Sequence, residues 1–314
     1  MTTLTVKQLL DQCIEKQVSD LYFLPCQQVY QLRYRDATGL HDWQVLKADQ
    51  AQRFCNQLKF QAQMAISETR RPQLGAQQYL YQQVPVFLRL STVGNFQNAE
   101  SLVVRFIYSV QEAFHFIFSA QLRQLQQLAL KRGLMIFSGP TGSGKTTSLY
   151  RLAESLGHDQ VVMTIEDPVE IYQPQFLQLQ VNEQAGMTYQ SLLKVGLRQR
   201  PDIFVIGEIR DENTAAVAAR AALSGHLVLS TVHAQSALKV RQRLQDLGLS
   251  EAILANCLTA VCYQRLLPLT HGGVAALCDI VTPAMQASHW SQLLERAVKT
   301  HQITTATAAA FAEG

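Results

Sequence analysis

The stretch Leu134-Met135-Ile136-Phe137-Ser138-Gly139-Pro140-Thr141-Gly142-Ser143-Gly144-Lys145-Thr146-Thr147 runs from a short apolar segment through a glycine-rich turn into a helical pattern. Its second half fits G-x-x-x-x-G-K-[ST], the phosphate-binding loop. The context is the one that motif needs: a buried strand before it, and after it a helix whose Leu149, Leu152, Ala153 and Leu156 share one face. Glycines let the backbone turn its N–H groups onto phosphate oxygens, and the N-terminus of the helix adds a positive field. In that arrangement Lys145 neutralises the β- and γ-phosphates and the Thr146 hydroxyl reaches Mg²⁺.

Outward from the loop, helices alternate with short continuous apolar strands. Strands are expected at 134–138, 161–165, 203–207 and 227–232, and helices at 146–156, 189–199 and 213–223. This order predicts an α/β unit built on a parallel sheet covered on both faces. The carboxyl ends of such strands share one ligand-facing edge, and two of them end in acids. They are Thr164-Ile165-Glu166-Asp167-Pro168-Val169-Glu170 and Gly207-Glu208-Ile209-Arg210-Asp211. A carboxylate at the end of a buried strand is costly unless a cation or a proton-transfer role compensates it. Glu208 is therefore expected to hold Mg²⁺, directly or from behind its ligands, together with Thr146, and Glu166 to orient the attacking water. The reverse assignment stays open at this point. His233, at the end of the strand Leu227-Val228-Leu229-Ser230-Thr231-Val232, is expected on the same edge, sensing the terminal phosphate; His226 divides evenly between a role and the core. Asp211 and Glu212 read more simply as a helix start, with Gly225 just past that helix.

Residues 1–108 read differently, as α+β with antiparallel pairing. A helix begins the unit with Val6, Leu9, Leu10, Cys13 and Ile14 on one face; strands are expected at 21–24, 30–35, 84–93 and 102–108, and a helix at 49–64. A linker is expected at 109–118, followed by an ATPase-type domain at 119–314 that ends in a helical part. Ile253, Leu254, Cys257, Leu258 and Val261 fit one helical stripe, and the final ITTATAAAFAEG is patterned too weakly to predict firm attachment.

Composition bounds the rest. At 314 residues the chain has room for about two domains. Charged residues make up 16%, below the roughly 25% of an average chain, and the net charge is only +3. No basic run could track a nucleic-acid backbone, so direct nucleic-acid binding is not expected. No stretch reaches the roughly eighteen apolar residues of a membrane span, and the opening residues lack a secretory pattern, so a cytoplasmic location is expected. Six cysteines form no C-x-x-C pair, which predicts neither structural zinc nor a redox dithiol. Lys and Arg outnumber Asp and Glu by 11 to 8 over residues 1–108 but balance at 16 to 16 over 109–314, so the excess positive charge lies in the first unit.

Taken together, GPTGSGKTT, TIEDPVE, PD-I-GEIRD and GHLVLST-H resemble the boxes of the secretion and type IV pilus assembly ATPase family, in the family's order. The likeness extends forward: Ser19-Asp20-Leu21-Tyr22-Phe23-Leu24-Pro25, Arg71-Pro72-Gln73, and Arg89-Leu90-Ser91-Thr92 with Val103-Val104-Arg105 resemble that family's first-domain segments. The resemblance implies a RecA-like P-loop NTPase core preceded by a smaller α+β PAS-like domain. It also implies ATP and Mg²⁺ as ligands, with Gly139, Pro140, Thr141, Gly142, Ser143, Gly144, Lys145, Thr146 and Thr147 around the phosphates, and Arg89 and Arg105 reaching the nucleotide from the opposite side. Further implied are a homohexamer, a polytopic membrane platform protein as partner, and a place at the inner face of the cell membrane. The additional N-terminal domain and four-cysteine zinc subdomain of larger members are not found, nor is the C-terminal arginine-and-glycine motif of retraction motors. The chain thus looks most like the competence-type ATPase that powers a DNA-uptake pseudopilus. Leu74-Gly75-Ala76 departs from the family, which ends this loop in arginine. A retraction motor, a nucleotide-gated scaffold with little turnover and a helicase-like enzyme are the alternatives. The pair Glu166 and Glu208 argues against the scaffold, and the lack of a basic channel or stacking aromatics argues against the helicase.

Overall fold

The computed structural model describes residues 4–36, 38–109, 114–285 and 287–313. The chain divides into two units, residues 1–109 and 110–314. In the first, α1 (Val6–Glu15) is started by a capping box between Thr5 and Gln8, and β1 (Asp20–Cys26), β2 (Val29–Asp36) and β3 (Gly39–Lys47) follow as a meander. After α2 (Ala48–Gln61) come β4 (Gln73–Tyr81), β5 (Val84–Gly94) and β6 (Glu100–Ile107). The six strands form one antiparallel sheet in the order β3-β2-β1-β6-β5-β4. Strand alternation puts Leu21, Phe23, Leu32, Leu88, Leu90, Leu102 and Val104 into one core with Leu9, Leu10 and Leu58 of the two helices.

A buried ion pair ties this unit together. Lys59, wholly buried near the end of α2, donates from Nζ to Glu100 Oε1 at 2.6 Å and to the Glu68 carbonyl at 2.7 Å. It therefore fixes both the start of β6 and the connection that leads to Arg70 and Arg71.

The second unit carries a seven-stranded sheet in the order β13-β12-β7-β11-β10-β8-β9. Its elements are α3 (Ala120–Ala129), β7 (Gly133–Ser138), α4 (Lys145–Leu156), β8 (Val162–Glu166), β9 (Leu177–Gln180), α5 (Tyr189–Gln199), β10 (Ile203–Ile206), α6 (Glu212–Leu223) and β11 (Leu227–Val232). Then come α7 (Ala237–Asp246), α8 (Glu251–Cys257), β12 (Leu258–Pro268), β13 (Val274–Val281), α9 (Trp290–Lys299) and α10 (Thr305–Ala310). All neighbours are parallel except β12 and β13. Successive residues of β7 feed opposite faces: Leu134 and Ile136 enter the core beneath α5, α6 and α7, whereas Met135 and Phe137 enter the core beneath α3 and α4. This is the two-sided burial that the continuous apolar runs required.

Three sequence expectations are corrected. The helical stripe through Cys257 breaks at Leu258, where the chain becomes β12, because the open edge of β7 offers backbone partners that a longer helix would leave unused. The tail is anchored: Trp290 Nε1 donates to the Phe311 carbonyl at 2.8 Å and the Arg265 guanidinium lies over the Phe311 ring. The expected linker at 109–118 contains paired chain, since Ile117 N–H donates to the Ala276 carbonyl and Ala276 N–H to His115; residues 110–113 lie outside the described residues.

Removing one partner of the buried pair leaves an uncompensated charge. Glu100→Ala is expected to cost about 3–5 kcal/mol in urea unfolding, whereas Lys59→Met with Glu100→Leu recovers most of the loss.

Candidate functional site

The loop between β7 and α4 is built on three glycines with positive φ: Gly139 at 145°, Gly142 at 78° and Gly144 at 79°. Gly144 is the N-cap of α4, so the first turn of that helix opens directly onto the loop. Pro140, Thr141 and Gly142 form the exposed crown, while Gly139, Ser143 and Lys145 are buried and Gly144, Thr146 and Thr147 are half-buried. Lys145 Nζ donates to the carbonyls of Gly139 and Pro140, each at 3.0 Å, which closes the ring of the loop. Burial lowers the Lys145 pKa, while Glu208 and Glu170 pull it back up. A phosphate entering the ring would supply the same favourable field.

From behind, β12 holds the loop. Gln264, fully buried, donates from Nε2 to the Ser143 carbonyl at 2.6 Å, and a Cβ on Gly139 would stand 2.4 Å from the Gln264 carbonyl oxygen. Nothing local marks this glutamine in the run Val261-Cys262-Tyr263-Gln264-Arg265-Leu266-Leu267; its role depends on β12 pairing beside β7.

The sheet order brings the acidic strand ends together. Gly207 N–H donates to the Ile165 carbonyl, and Ile209 N–H to the Thr231 carbonyl, so the segments past β8, β10 and β11 lie side by side. Glu166, at the end of β8, is only 2% exposed. Its Oε1 accepts from the Tyr150 hydroxyl at 2.5 Å, and that hydroxyl accepts from Gln178 Nε2 at 2.8 Å. Burial pushes the Glu166 carboxyl up from its ordinary value, against the opposing hydrogen bonds.

Glu208 is clamped. Arg210 Nε donates to Oε2 at 2.7 Å, and His233 Nε2 lies 3.3 Å from Oε1. His233 thus stands on the expected edge, half exposed, but its partner here is Glu208. The Thr146 hydroxyl, expected to share an ion with Glu208, donates to Glu170 Oε2 at 3.1 Å. A hydroxyl and a carboxylate this close are a hard-oxygen donor pair suited to Mg²⁺, which takes one or two carboxylates besides phosphate oxygens and water. Glu170, Tyr150, Gln178 and Gln264 are the members of the site to which sequence reading assigned no role. Glu170 lay within a quoted acidic string; Tyr150, buried on α4, carried no sequence signal of its own.

The remaining candidates sort cleanly. Asp211 caps α6 by accepting from Thr214 N–H at 2.8 Å, and Asp202 accepts from Val161 N–H, so both are structural. His226, half-buried, packs edge-on to Phe204 of β10 with Nδ1 3.2 Å from the Ala221 carbonyl of α6. In the first unit, Arg89 and Arg105 face one another across β5 and β6, and Arg105 Nε donates to Asp20 Oδ1 at 2.8 Å on β1. A cleft of about 620 Å³ opens beside the loop, bounded by Gly139, Pro140, His233, Lys239, Tyr263 and Arg265.

A family model described as type II/IV secretion system protein matches residues 2–308. The chain is 40% identical over 304 residues to competence protein ComGA of Streptococcus pneumoniae, covering 95% of each chain. It is 35% identical over 269 residues to competence protein ComGA of Bacillus subtilis, covering 84% of this chain and 75% of that one. Among solved structures, the pilus retraction motor PilT with bound ADP superposes with a TM-score of 0.76 at 22% identity, covering 98% of this chain and 97% of that one. The Legionella pneumophila ATPase DotB superposes at 0.74 and 16% identity, covering 99% and 97% respectively. These structures establish the shared fold.

The loop geometry separates its glycines. Gly139→Ala is expected to abolish binding of a fluorescent ATP analogue, because its Cβ would press on backbone. Gly142→Ala meets no atom within 4 Å, so it should cost only the left-handed backbone term of roughly 1–2 kcal/mol and keep binding measurable.

Proposed function

The chain belongs to the type II/IV secretion system protein family, and from that premise we propose that it is an ATP-hydrolysing motor powering assembly of a type IV pilus-like competence pseudopilus for DNA uptake. The observation that carries this reading is the meeting of a complete phosphate loop with three carboxylates, Glu166, Glu170 and Glu208, past the ends of adjacent parallel strands.

Backbone N–H groups of residues 139–147 and the N-terminus of α4 hold the β- and γ-phosphates, with Lys145 as their counter-charge. Thr146 and Glu170 are the oxygen donors for Mg²⁺, which when bound neutralises phosphate charge. Glu208 has both oxygens engaged by Arg210 and His233, so it belongs behind the ion rather than on it, and it links His233 to the charge at Lys145. Glu166 orients a water and takes its proton as the water oxygen bonds the γ-phosphorus; the bond from phosphorus to the bridging oxygen breaks and ADP leaves. A raised carboxyl pKa suits a base that must hold and then release a proton.

On this reading the motor works as a homohexamer on a polytopic membrane platform protein at the inner face of the cell membrane. Among the described residues no helix is long and apolar enough to cross a membrane.

Lys145→Ala should remove ATP turnover while circular dichroism stays unchanged; substantial residual phosphate release would sink the proposal. Glu166→Gln is expected to keep nucleotide binding and lower kcat by roughly 10²–10⁴-fold. The raised Glu166 pKa carries a sign: burial disfavours the charged form, so ionisation costs folded-state stability as pH rises above the ordinary carboxylate range. Glu166→Gln should therefore raise Tm at pH 7, and the gain should shrink toward zero as pH falls below that range.

A further inference from the structure

Tyr150 lies on α4 one turn beyond Thr146, its ring fully buried and packed against Phe176 with centroids 5.7 Å apart. That packing needs an aromatic ring but not a hydroxyl. The hydroxyl is nevertheless placed in a network whose polarity can be worked out from its neighbours. Gln178, on β9, accepts at Oε1 from Gln173 N–H at 2.8 Å, which fixes which end of its amide is oxygen. Its Nε2 then donates to the Ile171 carbonyl at 2.7 Å and to the Tyr150 hydroxyl oxygen at 2.8 Å, using both of its N–H groups. Tyr150 therefore accepts from Gln178, and its single proton is directed to Glu166 Oε1 at 2.5 Å.

We propose that Tyr150, oriented by Gln178, is a positioning residue that locks the Glu166 carboxylate in register with the phosphate loop. The inference rests on the reading of Glu166 as the acid that orients water. Tyr150 shares α4 with Lys145 and Thr146, so one rigid helix fixes the loop at its first turn and the carboxylate at its second. A hydrogen bond to one carboxylate oxygen restricts rotation of the group and fixes the direction of the other oxygen. Positioning of this kind acts on turnover and leaves ground-state binding nearly untouched. Gln178 extends the same constraint to the edge of the sheet, where β9 pairs with β8 in the register Thr164 with Gln178 and Glu166 with Gln180.

Tyr150→Phe keeps the ring and deletes the hydroxyl. The expected result is a kcat lowered roughly tenfold to hundredfold, with KM for ATP and the Kd of a fluorescent ATP analogue within about threefold of wild type. In a Glu166→Gln background the same substitution should cost less than about twofold, because the group it positions is already disabled. A kcat within about twofold of wild type overturns the proposal, as does an equal loss in both backgrounds. If Glu166→Gln by itself retains full turnover, the role of Glu166 fails and the positioning role with it; an unaffected Tyr150→Phe beside a disabled Glu166→Gln rejects the positioning role alone. Should Tyr150→Phe not fold, Gln178→Met provides the same measurement by freeing the tyrosine hydroxyl to rotate. A several-fold loss of kcat at constant KM supports the proposal there, and an unchanged kcat overturns it.

Discussion

Strand β7 is hydrogen-bonded on one side to β11 and on the other to β12, and its faces are covered by two separate cores. A strand held in four directions cannot shift, so the loop leaving it at Ser138 is fixed in space before any ligand arrives. The rest of the site is measured from that strand. Parallel pairing of β11, β10 and β8 in sequence away from it sets the acidic strand ends along one line. Antiparallel strands would have sent alternate ends to the opposite edge and dispersed them.

Several polar groups buried in this frame hold neighbouring elements together through their hydrogen bonds. Gln264 closes the back of the loop, Tyr150 and Gln178 hold Glu166, and Lys59 with Glu100 ties down a connection in the first unit. An unpartnered buried amide or carboxylate costs more than a typical hydrogen bond returns. These groups therefore tolerate little change, and they rigidify the elements they join. Glu166 shows the balance most directly. Its burial costs stability at neutral pH, as the upward pKa shift implies, yet the same dry setting suits it to proton transfer.

Much of this was legible in one dimension because the deciding features are local. The phosphate loop, the strand and helix around it, and the acids at two strand ends each occupy a few consecutive residues, and their spacing reflects backbone geometry that adjacent residues share. Strands β3, β4 and β9 were not legible: β4 reads Gln73-Leu74-Gly75-Ala76-Gln77-Gln78-Tyr79-Leu80-Tyr81, whose exposed face carries Leu74, Ala76 and Leu80 while Gln73 and Gln77 lie on the half-buried face, and it is held by pairing with β5. The end of α8 at Cys257 escaped for a related reason, since residues that suit either period took the one that filled the edge of β7.

Chemical identity was thus written in short strings: which residues form the phosphate loop, which acids end the strands beside it, and the α/β class that carries them. Partnership was settled by folding. Thr146 meets Glu170 and not Glu208, Glu208 meets His233 and Arg210, and Glu166 meets a tyrosine from the loop's own helix. Such pairings join residues from separate elements, and their distances depend on how strands stack and how a helix crosses them. A carboxylate's role follows from its partners and its access to water, so it becomes definite only once the chain has packed.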